Sequence, residues 1–530
     1  MNIRRLSILG AVGALALLLA ASEVVAQKYG GVLRIIGRSN PPSLSIHEEA
    51  TTYTVMPCMP VYNNLVLFDP LQPRESMESI IPELATSWFW SNDNKALTFK
   101  LRRGVKWHDG RPFTSKDVKH TFDVVRGVAE ARLKLNPRKL WYGNVQEITT
   151  NGDFEVTFKL ERPQPSLVVL LASGYSPVYP AHVHPRELRT STMGTGPFLL
   201  VSFKRDSSLV YKKNRDYFVR GRPYLDGIEY IIIRRAVARN AALQANQVDM
   251  SYPYEYIRST QKTIASAVPE LVWHENASNV STNIIVNTRK PPFDDPKLRL
   301  VASLALDRRA LLKGVYENQG LVGGAMLPKP NGVWGLDPED LANVPGMGDG
   351  EANKEKAREI MRSLGYGPDK PLKVTLSTRA LKTYTDPAIW SLDQFKAVWM
   401  DVTLEQVESG NWHAKIARRD YQIAMNRTGV GADEPDINFF ENYTCGSQRN
   451  YSDYCNPDLE KKMVEQSSTT DFNKRLKLVH EIDLTLQIEG ARPILWHSVN
   501  SGATYPYVKN YRLHQVLYNP WRMQEIWLDK

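Results

Sequence analysis

Three short stretches at the amino terminus dictate where this chain has to fold. Arg4 and Arg5 form a positive segment, Leu6 to Ala21 an apolar one, and Val24-Val25-Ala26 a small-residue cleavage site before Gln27. This is the layout of a secretory signal. The apolar stretch contains glycines and falls short of the roughly 20 apolar residues a spanning helix needs. Cleavage is therefore expected, with residues 1–26 removed and Gln27 as the first mature residue. No cysteine stands at the cleavage site to carry a lipid, and no later apolar run is long enough to cross a bilayer. The sequence predicts a soluble protein exported to the periplasm, where disulfides form and persist.

At roughly 100–200 residues per domain, a chain of 530 residues implies two to four domains after cleavage. Hydrophobic residues at 42% and charged residues at 23% suit a globular fold rather than a disordered or fibrous one. Loss of Arg4, Arg5 and Glu23 with the leader lowers the formal charge of +10 by one. The excess is spread along the chain without blocks of like charge. Basic residues are not interleaved with aromatics, so a nucleic-acid groove is not expected. Of the cysteines, Cys445 and Cys455 lie close together in a segment rich in Asn, Tyr, Ser and Gly. They are expected to form a disulfide closing a short loop, whereas Cys58, among Met56, Pro57 and Met59, reads as a buried small hydrophobe.

Strands and helices alternate along the chain. Gly31 to Gly37 reads as a buried strand, followed by a loop at Asn40-Pro41-Pro42; Leu97 to Leu101 alternates apolar and polar residues as a half-buried strand does. Thr114 with Asp117 forms a capping box that starts a helix burying Val118, Phe122 and Val125. Asn151-Gly152 marks a hairpin before a strand alternating at Phe154, Val156, Phe158 and Leu160. Residues 71–192 thus read as an α+β unit with antiparallel strands. Ile228 to Ile233 is a strand, Asp295-Pro296 and Asp307 open helices, Lys354 to Leu364 is a helix ended by Gly365, and Leu372 to Leu376 is a strand. The fold class is mixed α/β, without internal repeats.

No catalytic constellation of good quality is present. Gly174-Tyr175-Ser176 lacks the final glycine of a nucleophile elbow. His182, His184 and Glu187 do not have the spacing that puts two imidazoles on one helical face. Gly346-Met347-Gly348-Asp349-Gly350 lacks the preceding strand of a dinucleotide loop and reads as a flexible surface loop. No cofactor and no metal are expected. Aromatic residues are abundant, and loop aromatics such as Trp412, Tyr443, Tyr451 and Tyr454 are candidates to line a ligand cleft.

Three long motifs, in order, resemble the extracellular solute-binding proteins of the peptide, dipeptide and nickel class that serve ABC importers. The first runs Pro82-Glu83-Leu84-Ala85-Thr86-Ser87-Trp88, through Leu97 to Leu101, to Gly104-Val105-Lys106-Trp107-His108-Asp109-Gly110 and Asp117-Val118, with Trp107 where Phe is commoner. The second is Gly194-Thr195-Gly196-Pro197-Phe198 with Asn214-Arg215-Asp216-Tyr217-Phe218 and Gly221 to Asp226. The third is Asn287, Pro292-Phe293-Asp294-Asp295, Arg299 and Ala305-Leu306-Asp307-Arg308. The resemblance implies a two-lobed periplasmic binding protein fold with an added domain near the amino terminus. Lobe I would combine 27–70, 193–286 and 495–530, the insert would be 71–192, and lobe II would be 287–494. It also implies a monomer that encloses a small-molecule or peptide ligand and meets the permease subunits of an ABC transporter. The signature motifs themselves are expected to be architectural.

Glu434-Pro435-Asp436 resembles the family's Asp-Pro-Asp motif near the cleft. Peptide-binding members carry an acid three positions earlier that pairs with the ligand's amino group. Counting back places Gly431 there, and Thr428 where a Trp is common. Asp433 is the candidate to replace that acid, with capping of the next helix by Asp433 and Asp436 as the alternative. The expected ligand-binding residues are Asp433, Thr428, Gly431, Trp412 and Asn40. A periplasmic hydrolase would need a nucleophile, a base and oxyanion donors in one cleft, a set the sequence does not display. A chaperone holding extended peptide is the remaining alternative.

Overall fold

The computed structural model describes residues 27–253, 256–490 and 492–530; the expected signal segment 1–26 lies outside the described residues. One four-stranded sheet lies in the amino-terminal half, with spatial order Val32–Gly37, Gly227–Ile232, Ser208–Lys213, Phe198–Lys204. Its first pair is parallel and the others antiparallel. A second antiparallel sheet, Ala85–Trp90, Ala96–Leu101, Glu155–Leu160, Val145–Thr150, forms the heart of the expected insert. Helix Ser115–Arg126 covers it and buries Val118, Phe122 and Val125. The Thr114–Asp117 capping box is formed, with the Thr114 N–H donating to Asp117 Oδ2 at 2.8 Å. The first two signature motifs meet here: the His108 N–H donates to the Gly194 carbonyl, and His108 Nε2 lies 3.0 Å from the Gly196 carbonyl oxygen.

The third, six-stranded sheet has the order Gly320–Leu321, Ile494–Thr504, Val272–Val286, Ile423–Thr428, Leu372–Arg379, Met400–Val407. Its two longest members form a crossing pair. Val272 pairs with Thr504 at one end and Asn283 with Ile494 at the other, with the register shifting between Ala277 and Ser281. Before the shift the pair joins the first sheet through the bridges Ile35–Met250 and Met250–Thr504. After it, Ser281–Val286 pairs with Ile423–Thr428. The change of partner sheet thus falls inside the crossing strands, a few residues away from the expected boundaries at 286 and 494, because one strand is long enough to serve two sheets. A bulge at that point gives the pair a place to bend.

The helix starts are set by local chemistry. Asp295 caps Pro296–Leu304 by accepting the Lys297 N–H, and Asp307 caps Arg308–Val315 by accepting the Ala310 N–H. The glycine-rich segment at 346–350 is ordered by the same device: Asp349 accepts the Ala352 N–H, so that helix runs Gly350–Ser363, earlier than the expected start at Lys354. Among the described residues no helix is long and apolar enough to cross a membrane.

Candidate functional site

Strand Ile423–Thr428 delivers the chain to loop 429–434, and helix Pro435–Asn442 leads away from it. Val430, Ala432 and Ile437 of this segment pack into the core shared by the first sheet and the insert, so the two halves of the molecule are closed upon one another here. Gly431 allows the approach. A Cβ at that position would stand 2.6 Å from Ser173 Oγ and 2.8 Å from Trp141 Cη2. Its carbonyl accepts hydrogen bonds from Ser173 Oγ at 2.9 Å and Asn519 Nδ2 at 3.3 Å.

Beside the loop stand three arginines. Arg138 is 1% exposed, its Nη1 donates to the Glu49 carbonyl, and its guanidinium carbon lies 3.6 Å from the centre of the Tyr175 ring. Arg449 Nε lies 2.9 Å from Glu441 Oε1, while Trp141 Nε1 donates to Glu441 Oε2 at 3.1 Å. Arg492 Nη1 donates to Thr428 Oγ1 at 3.2 Å and Asn442 Oδ1 at 3.0 Å. Burial lowers the Arg138 and Arg492 pKa values, with partial compensation from nearby tyrosines, and the charge of Arg449 adds to the lowering in both. Burial also works against the Arg449 charge, but Glu441 together with Tyr451, Tyr175 and Tyr518 outweighs it and the net shift is upward. The Nε atoms of Arg138 and Arg492 are buried without a hydrogen-bond partner. Tyr518 from the carboxy-terminal segment completes the wall, 4.9 Å from Tyr175 between ring centres.

Of the expected site residues, Thr428 and Gly431 belong to this wall. Thr428 Oγ1 also meets Asn283 Nδ2 at 3.0 Å and Asn426 Nδ2 at 3.2 Å. Asp433 lies in the same loop but is turned to another neighbourhood: its Oδ2 accepts the Val333 N–H at 3.0 Å, and its Oδ1 is buried without a partner. Burial pushes its carboxyl up to about 7 against that hydrogen bond, and Glu434 and Glu75 add to the rise. Neither Asp433 nor Asp436 caps the following helix; Glu434 does, accepting the Asp436 N–H. Trp412 and Asn40 are corrections. Trp412 is 1% exposed in an apolar cluster with Ile285, Val407, Ile416, Tyr421 and Ala424, because its segment is helical and one face must be buried. Asn40 pairs in both directions with Asp206 at a hairpin tip. Cys445 and Cys455 form the disulfide, and Cys58 is free and buried.

Arg138, Arg449 and Arg492 went unnoticed in the sequence. The one available signal was a charged residue, Arg449, inside the Cys445–Cys455 loop. Catalytic geometry is not assembled around Ser176, whose Oγ donates to the Leu170 carbonyl at 2.6 Å and meets the Tyr142 hydroxyl at 2.7 Å. His182 pairs with Asp109 at 2.9 Å. Asp337, Asp340 and His480 bring ligand-capable atoms within 4.8 Å of one another, but Lys329 Nζ, 2.7 Å from Asp337 Oδ1, already supplies positive charge there.

Two sheet-centred bodies joined by a crossing pair, with polar groups from both converging on a buried wall, define a two-lobed binding protein. The family model described as "Bacterial extracellular solute-binding proteins, family 5 Middle" matches residues 79–450. The chain belongs to this family of extracellular solute-binding proteins. It is 26% identical to the dipeptide-binding protein of Escherichia coli K12 over 94% of this chain and 95% of that one. A periplasmic binding protein of Helicobacter pylori in complex with the peptide STSA superposes with a TM-score of 0.81 at 19% identity, covering 95% of this chain and 99% of that one. A binding protein from A.tumefacien R10 in complex with mannopinic acid superposes at 0.80 with 21% identity, covering 95% and 100%.

Proposed function

We propose that this protein captures a small solute, of the peptide or peptide-like class, between lobe I with its insert and lobe II, and delivers it to the permease subunits of an ABC importer. It acts as an exported monomer in the periplasm, binds without chemical turnover, and uses hinge closure as its signal. Ligand contacts from both lobes would favour the closed form, which the transporter reads. The observation that carries this is the meeting of Ser173, Trp141 and Asn519 with Gly431 and Glu441, close to the register shift in the crossing strands. Relatives named for dipeptides or solved with a peptide support the ligand class.

Solution scattering and calorimetry on the mature protein test it. A cognate solute should reduce the radius of gyration, remain chemically unchanged, and at 100-fold above its dissociation constant add roughly 2.7 kcal/mol of stability. Tight binding with an unchanged radius would remove hinge closure, and a released product would make the protein an enzyme. Amino-terminal sequencing of the exported protein should begin at Gln27.

A further inference from the structure

We propose that Arg138, Arg449 and Arg492 form an anion-binding site at the lobe interface, so that the transported solute presents a carboxylate-type negative group there and needs no free amine. This rests on the solute-capture reading and names the charge of its ligand.

The first support is steric. Position 431, where the resemblance places an acid for a ligand's amino group, is a glycine whose Cβ would already meet Ser173 Oγ at 2.6 Å, Trp141 Cη2 at 2.8 Å and Tyr175 Cδ2 at 3.1 Å. A carboxylate side chain has no room on that path. Tyr175, which fills it, carries the Arg138 guanidinium on its face at 3.6 Å. The polarity at the site of the absent acid is therefore inverted.

The second support is charge balance. Arg449 pairs with Glu441, which is also shared with Trp141 Nε1 and acts on Arg138, while Arg492 hydrogen-bonds only neutral groups, Thr428, Asn442 and the Arg449 carbonyl. Glu49, beyond Arg138, is the other acid nearby, and burial pushes its carboxyl up to about 7, so near neutrality it is only partly ionised. Asp433 is influenced by Glu434, Glu75 and Arg74 rather than by these arginines. Positive charge remains in excess in a place shielded from water, where an unpaired ion is costly. A bound anion would relieve that cost.

The third support is unused donor capacity. The Nε atoms of Arg138 and Arg492 are buried and unbonded, and a guanidinium matches a carboxylate edge with paired N–H donors. Arg138 comes from the insert, whereas Arg449 and Arg492 come from the lobe II side. One anion held by both groups would link solute charge directly to closure.

The test is calorimetry on the mature protein with four probes: N-acetyl-Ala-Glu, N-acetyl-Glu, Ala-Ala and Ala-Ala-amide. The acetylated acids should bind at least tenfold more tightly than the cationic amide. Arg449→Gln should weaken their binding roughly ten- to a hundredfold, the worth of a hydrogen bond to a charged group. Arg449 lies in the disulfide loop with its side chain 12% exposed, so this variant is less exposed to folding failure than Arg138→Gln, and melting curves verify both. Glu441→Gln should strengthen binding of the acids several-fold, an increase that a structural role for Glu441 would not produce. Tight binding of Ala-Ala-amide, or acid binding indifferent to Arg449→Gln and Arg138→Gln, overturns the anion site while leaving solute capture intact. Binding of none of the probes also overturns the anion site, since the acetylated acids carry the group it names, while solute capture stands or falls on the scattering test above.

Discussion

The segment 434–449 makes two polar contacts across the lobe interface, and they are built in opposite ways. At its beginning, Asp436 accepts hydrogen bonds from Gln164 Nε2 at 3.1 Å and Ser166 Oγ at 2.5 Å on the insert side. From its own side it accepts from Gln466 Nε2 at 2.5 Å and Ser467 Oγ at 2.7 Å. Arg475 pairs with Glu434 and lies 3.5 Å from Asp436. Hydrogen-bonding capacity there is filled from both sides of the interface, with Arg475 set between the two carboxylates. At the other end, Arg449 takes Glu441 as its partner, while Arg138 and Arg492 stand by with buried Nε donors unused. A satisfied buried network fastens parts together; an unsatisfied one is strained until a ligand completes it.

This contrast breaks most readily at Asp436. Asp436→Ala leaves Gln164, Ser166, Gln466 and Ser467 without their shared acceptor in a buried place, and urea unfolding should show a loss of about 3–5 kcal/mol. An unaltered midpoint would mean that the network fastens nothing. The arginine end should respond less in stability and more in affinity. Replacing both Cys445 and Cys455 by Ser releases the short loop that carries Arg449, and should lower stability by about 3 kcal/mol. It should also weaken solute binding, since Arg449 would no longer be held against Glu441. Full affinity in that double variant would show that the loop does not position the site.

Asp433 sharpens the comparison with the smallest effect. Its folded pKa of about 7 is above the ordinary carboxylate value, so the folded state retains a proton that the unfolded chain has lost. The stability it contributes is fully present below roughly pH 4 and is lost as pH rises through about 7. Asp433→Asn should therefore raise stability at pH 8 by about 2 kcal/mol relative to wild type, with little gain at pH 4, and leave anion affinity unchanged. A loss of affinity would return Asp433 to the ligand site.

Much of the scaffold was legible because its causes are local. Thr114 with Asp117, Asp295 with Pro296, and Asp307 each announce a helix start through a side chain that meets a backbone N–H two or three residues away. The alternation at Leu97 to Leu101 is equally local, because successive side chains of a strand point to opposite faces, with Leu97, Phe99 and Leu101 buried and Lys100 exposed. Trp412 shows the limit: a polar-flanked aromatic looks like a loop anchor, and only the helical phase of Ser409–Ala417 turns it into the core. The choice among Asp433, Glu434 and Asp436 as helix cap was likewise undecided by composition, because all are competent and the entry angle of the chain selects Glu434.

The sequence by itself determined the mixed α/β class, the expected export, the pairing of Cys445 with Cys455 in a short loop, and the absence of an acid at Gly431. Each of these depends on residue type or on neighbours within about a dozen positions. Only the tertiary structure decided that the place near Gly431 is positive. Arg138, Arg449 and Arg492 are hundreds of residues apart at the extremes, and no periodicity links them. They meet because the crossing strands fold lobe II back against the insert, and electrostatic interaction depends on distance in space, not on distance along the chain.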